Sequence, residues 1–189
     1  MVRNAERRTL LADAAVRVLA QQGSRGLTHR AIDAEAKAPR GTASNYFASR
    51  DEIIDAILFR ISERLQPDPD IHADLAQRPP GIELFTEYLR DIVHRLTDNR
   101  DAAIALFELR LEATRRPRVA EALTTWRRAG LQADIEFNEK MGLPGRPVDI
   151  TLFHYALDGL LLDHLTVPVD ETVNPDEVVS VLAHRLLGN

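Results

Sequence analysis

The sequence predicts an all-helical protein, and three observations carry that reading. Apolar residues recur at three- and four-residue spacing along most of the 189 residues. Alternating Val/Ile/Thr runs joined by hairpin dipeptides are missing, so strands have no foothold. Helix-opening signatures such as Ser49-Arg50-Asp51-Glu52 and Asn174-Pro175-Asp176-Glu177 punctuate the chain. Roughly nine helices follow from these boundaries.

The first helix is expected over 4–22, capped by Asn4 and closed by Gly23. Leu10, Leu11, Ala14, Ala15, Val18 and Leu19 make one stripe, with Arg3, Arg7, Arg8 and Arg17 mostly off it. A short second helix follows Thr28, a good cap, and ends near Ala36. The third opens at Pro39, a residue suited to a first helical position, and ends near Phe47. The fourth has a capping box, in which Ser49 satisfies one free amide and Glu52 reaches back to another. Ile53, Ile54, Ile57, Leu58, Ile61 and Leu65 follow at helical spacing, and Pro67 and Pro69 stop it. Beyond a loop holding Pro79-Pro80-Gly81, helices are expected over 82–96, from Asn99 to before Pro117, and over 118–141, closed by Gly142. The eighth covers 148–165, and the last opens at Asn174 with a cap, a proline and two acids.

Composition narrows the function. At 44% hydrophobic and 28% charged the chain can bury an ordinary core. The absence of cysteine excludes thiolate-zinc sites, iron–sulfur clusters, disulfides and a cysteine nucleophile. No apolar run approaches the roughly 20 residues of a membrane helix, and a cytoplasmic location is expected. Charge is unevenly distributed: residues 1–50 hold nine basic and four acidic side chains, the remainder fifteen basic and 25 acidic. A polyanion is drawn to the first quarter and repelled by the rest.

The informative stretch is Gly26 to Phe47, where two short helices backed by a longer one make a helix-turn-helix. In such a unit the second helix enters the major groove and the first braces it. Ile32 and Ala36, one turn apart, hold the bracing helix; Ala38, Ala43 and Phe47 supply the inner side of the next. Its outer side then shows Arg40, Thr42, Ser44, Asn45 and Tyr46, a polar array with little purpose unless it meets something polar.

Gly26-Leu27-Thr28, the Ile32…Ala36 spacing, Gly41-Thr42, Tyr46-Phe47 and the Ser49-led capping box stand in the order and spacing of a known signature. Over about residues 8–54 the chain resembles the TetR family of transcription regulators. The resemblance implies a DNA-binding domain at 1–48 and a ligand-sensing, dimerising domain at 49–189. It implies a homodimeric repressor that binds an inverted-repeat operator in double-stranded DNA and is released by a small-molecule inducer, without a cofactor. Its DNA-facing set is Thr28, His29, Arg30, Lys37, Arg40, Thr42, Ser44, Asn45, Tyr46 and Arg50. Arg40 and Asn45 take base-facing positions, Arg suiting a guanine edge and Asn an adenine. Thr28 and Arg50 take phosphate positions.

Four departures stand out. Lys37 replaces the usual turn glycine, Pro39 a serine that caps the third helix, Ser44 a phosphate-binding tyrosine, and Asp33 an alanine at the helix crossing. Asp33 either points outward or pairs with an arginine.

The second half carries no motif of its own. Phe85, Tyr88, Phe107, Arg110, Trp126 and His154 are candidate pocket residues, with plain core packing as the alternative for the aromatic ones. Arg110 lies between Glu108 and Glu112, where it either anchors an acidic inducer or forms an internal ion pair. His154 with Asp158, and Asp163 with His164, are either the start of a metal site or polar residues of a helix surface or interface, and without further ligands no metal is expected. The last two helices are apolar on more than one side, and Phe153, Leu157, Gly159, Leu160, Leu161, Val178, Leu182 and Leu186 are the expected dimer contacts. The competing reading is an all-helical small-molecule-binding protein or enzyme that binds no operator. Against it, no nucleophile–base pair, metal cluster or phosphate loop can be picked out.

Overall fold

The computed structural model describes residues 5–188, so Arg3 and the Asn4 cap lie outside the described residues. Ten helices and no strand occur among them: α1 Ala5–Gly26, α2 His29–Glu35, α3 Thr42–Tyr46, α4 Arg50–Arg64, α5 Pro69–Leu75, α6 Ile82–Asp98, α7 Arg100–Ala113, α8 Pro117–Lys140, α9 Pro147–Leu165 and α10 Pro175–Leu187. The chain forms two compact units, one of residues up to 66 with 99–125, the other of 67–98 with 126–189. The helix-turn-helix shares its unit with α4, α7 and the start of α8.

In the first unit α1 is the central post, packed by α2, α4 and α7. Leu11, Ala12, Ala14, Ala15, Val16, Val18 and Leu19 are all buried, a wider surface than one stripe, because three helices share it. Leu10, expected inside, stays 42% exposed. Gly23 adopts a left-handed φ of 66° and breaks the helical path, so the expected stop is a kink inside α1. Asp13 joins α1 to α4 by accepting from Arg60 Nε and Arg64 Nη2, each at 2.8 Å. Ser49 caps α4, its Oγ accepting from Glu52 N at 3.2 Å, and Glu52 reaches back to accept from Ala48 N at 3.0 Å, one residue before the cap whose amide a capping box would hold.

The second unit is built on α6, which packs against α5, α9 and α10. Leu84, Phe85, Tyr88, Leu89 and Val93 face inward from it. The Phe85 and Phe153 ring centres lie 4.9 Å apart, and Tyr88 meets Phe137 edge-on at 5.0 Å. Burial pushes the Tyr88 phenol above its ordinary pKa. Beside this cluster the buried Asp91 carboxylate accepts from Arg95 Nε at 2.9 Å and pairs with His72 Nε2 at 3.2 Å.

The short α5 is an addition to the expected helices. Asp68 caps it, accepting from Asp70 N at 2.9 Å, and Pro69 takes the first turn. Pro69, expected only as a stop to α4, thus also opens a helix.

Candidate nucleic-acid interface

The two short helices are held from inside by few groups. Ile32 of α2, Ala43 of α3 and Phe47 just after it are fully buried, while Ala36 and Ala38 are half-buried. Thr28 caps α2, its Oγ1 accepting from Ala31 N at 3.2 Å. Lys37 turns the chain at φ 51°, the left-handed conformation that the missing glycine would take without strain.

The recognition helix starts later than expected. Pro39 is not its first residue: Arg40 and Gly41 form a turn, and α3 begins at Thr42 with Gly41 as its cap residue at φ 87°. Glycine brings no side-chain acceptor, so the free amides are satisfied from elsewhere. Asp33, 3% exposed, does this from α2: Oδ2 accepts from Gly41 N and Oδ1 from Ala43 N, both at 2.7 Å. It points inward and pairs with no arginine among the described residues. The reason for the later start is thus a cap ten residues upstream of Ala43.

Three further side chains brace the unit. His29 Nε2 lies 2.8 Å from the Phe47 carbonyl. Arg8 donates to the Tyr46 carbonyl at 3.2 Å, and its guanidinium stacks 5.0 Å from the Phe47 ring centre. Arg50 donates to the Leu27 carbonyl at 2.7 Å and to Ser24 O and Oγ at 2.6 Å, with Glu112 at 3.6 Å. His29 and Arg50, expected on DNA, are therefore engaged as internal struts. Arg8 was visible in the sequence only as a cation off the apolar stripe.

What remains outward is a smaller set. Arg30, Lys37, Arg40, Ser44 and Asn45 are exposed; Thr42 and Tyr46 are half-buried. Arg30, Lys37 and Arg40 make no ion pair with another described residue, and the Asn45 side chain makes no hydrogen bond there. Thr42 Oγ1 donates to Pro39 O at 2.6 Å and Ser44 Oγ to Gly41 O at 2.9 Å. In this arrangement neither hydroxyl has its proton free for a phosphate. Arg25, which the sequence reading passed over, joins Thr28 and Arg30 along an open groove of about 610 Å³. Arg17, by contrast, is neutralised by Glu35 at 2.5 Å.

The remaining candidates fall within their own units. In the first, the Arg110 guanidinium lies 5.7 Å from the Phe107 ring centre. The flanking Glu112 takes Arg116 Nε at 2.9 Å besides Arg50. In the second, Trp126 is half-buried, His154 pairs with Asp134 at 3.0 Å and Asp158 with Arg127 at 2.8 Å. Of the expected dimer contacts, Phe153, Leu157 and Leu161 are buried within their own chain, and Leu160, Val178, Leu182 and Leu186 are half-buried. Only Gly159 of that set is fully outward on α9, and a Cβ placed there would meet nothing within 4 Å. The outward apolar stripe runs one residue aside, through Val148, Leu152, Tyr155, Gly159 and Leu162.

Two family profiles match this chain: one described as tetracyclin repressor-like, C-terminal domain, over residues 80–189, and one as bacterial regulatory proteins, tetR family, over residues 11–57. The chain belongs to the TetR family. It is a DNA-binding, ligand-responsive transcriptional regulator of that class, and TetR-family regulators are generally not enzymes. Among solved structures, the multidrug binding protein EbrR complexed with ethidium is 28% identical, with a TM-score of 0.69 over 98% of this chain and 100% of that one. A TetR-family member from Streptomyces coelicolor A3 is also 28% identical, with a TM-score of 0.72 over 96% and 98% of the two chains. GusR of Salmonella enterica, 20% identical with a TM-score of 0.70 over 100% and 99%, shares the TetR fold. No curated protein matches the chain. Among the described residues no helix is long and apolar enough to cross a membrane.

Proposed function

We propose that the protein is a cytoplasmic repressor that binds an inverted-repeat operator as a homodimer, releases it when a small molecule binds, and catalyses nothing. The observation that carries this reading is the exposed pair Arg40 and Asn45 at the start and middle of a recognition segment braced by Asp33, His29, Arg8 and Arg50. A rigid, outward polar helix suits base edges, and Arg25, Arg30 and Lys37 around it suit phosphates. Dimerisation is supported by the α9 stripe, whose members recur at alternating three- and four-residue steps, the spacing of a helix seam. Exposed Gly159 at its middle suits the close approach of a second copy.

Structures of EbrR contain ethidium and proflavin. By that likeness, planar aromatic cations are the inducer class to try first. The test is footprinting on the DNA flanking the protein's own gene. Two protected half-sites about 34–36 Å apart are expected, with protection weakening as salt rises and vanishing when the right small molecule is added. Absence of any protected site at low salt overturns the reading.

A further inference from the structure

We propose that Asp33 is a positioning residue for operator reading: its carboxylate, fixed in α2, sets the angle at which α3 and the Arg40 turn meet the DNA. The inference rests on the operator-binding reading above and goes beyond it in naming what orients the reading head.

Core packing grips α3 weakly. It has five residues, and Ala43 alone among them is buried. Buried Phe47 and the His29 and Arg8 bonds hold the trailing end, which leaves the leading end to take its direction from polar anchors. Its own sequence supplies no side-chain acceptor for the free amides at the leading end. Gly41 has no side chain, and Pro39 offers neither a side-chain acceptor nor an N–H. Asp33 supplies two. One oxygen holds Gly41 N, directly after Arg40; the other holds Ala43 N, directly before the outward pair Ser44 and Asn45. Both bonds are 2.7 Å, in the range of charge-assisted hydrogen bonds. Two bonds from one planar group to amides two residues apart fix a direction as well as a distance.

The anchor itself is buried. Asp33 is 3% exposed, and its neighbour Ile32 is fully buried. Water cannot substitute for the carboxylate without opening the α2–α3 packing. Any change in how Asp33 sits is therefore transmitted to Arg40 on one side and Asn45 on the other.

A cap that merely stabilises the fold and a group that orients the reading helix differ in one measurable way. Loss of fold weakens binding to every duplex alike, whereas loss of orientation weakens the preferred duplex selectively. The experiment uses the full-length protein. A duplex is enriched by the wild type from a random-sequence pool, and its affinity is compared with that for poly(dI-dC). Asp33→Ala is expected to lower the ratio of the two affinities about tenfold, on the scale of one charge-assisted hydrogen bond. Asp33→Asn, which keeps the shape but turns an amide toward a backbone N–H, should lower it as well; it carries the test if the alanine variant fails to fold. Adding Pro39→Ser to Asp33→Ala should recover part of the ratio, because a serine hydroxyl can accept from the amide two residues on. Pro39→Ser alone should leave the ratio unchanged. A ratio within about twofold of wild type in the folded Asp33 variants overturns this inference alone. A wild type that enriches no duplex overturns the operator reading with it.

Discussion

Arg50 donates a 2.7 Å hydrogen bond to the carbonyl of Leu27, the residue just before the Thr28 cap, and so ties the start of α4 to the entrance of the helix-turn-helix. The same guanidinium holds Ser24 in the last turn of α1. A cation held by two backbone carbonyls and a hydroxyl acts as a strut, and its value lies in stability. Arg50→Ala should lower the urea unfolding free energy by about 1.5–3 kcal/mol, the range for hydrogen bonds to a charged group. The slope of log affinity against log salt should stay at its wild-type value. A slope reduced by about one would instead mark a lost phosphate contact.

Arg40 and Asn45 are the opposite case, exposed and without partners among the described residues. Arg40→Ala and Asn45→Ala should leave melting temperature within a degree or two and each weaken operator binding by about 1–3 kcal/mol. Base preference should relax at one position of each half-site, read by competition with singly substituted duplexes. If either variant binds every substituted duplex as the wild type does, that residue does not read a base.

How much of this was legible beforehand depended on whether the cause was local. Thr28, Ser49 and Asn174 act as caps because each acceptor satisfies an amide two or three residues on. α3 starts later than the sequence predicts because its cap, Asp33, comes from another helix. For α5 the signal was present. Asp68-Pro69-Asp70 repeats the pattern of Asn174-Pro175-Asp176, but seven residues are too few to show a helical period. On α9 the reverse holds: so much of the helix is apolar that periodicity cannot tell the inner face from the outer, and the expected set mixes buried Phe153, Leu157 and Leu161 with half-buried Leu160 and outward Gly159. Arg50 sits where a phosphate contact is expected, and no sequence feature marks Ser24 and the Leu27 carbonyl as its partners.

Lys37 holds a left-handed φ of 51° with an exposed side chain. A residue with a Cβ costs roughly 1–2 kcal/mol in that conformation. Lys37→Gly should therefore raise the unfolding free energy by about 1 kcal/mol, less the entropy glycine adds to the unfolded chain. If the lysine faces a phosphate, the same variant lowers the salt slope by about one. Greater stability with a shallower slope would mean that this turn keeps strain in exchange for charge. A variant less stable than wild type would show that the turn is not strained.

Tyr155 and Phe153 lie two residues apart on α9, the first 65% exposed and the second 2%. They should fail in different ways. Phe153→Ala removes a ring packed against Phe85 and should cost about 3–5 kcal/mol of protomer stability. Tyr155→Arg, alone or with Leu162→Arg, places a charge on the outward stripe, which costs little in an isolated chain but opposes its own copy across a two-fold axis. Analytical ultracentrifugation should find the arginine variants folded and monomeric at concentrations where the wild type is a dimer. Their operator affinity should fall toward that of a single half-site, because two recognition helices no longer arrive together. If the double variant still sediments as a dimer, the subunits meet through some other surface, and the α9 stripe needs another explanation.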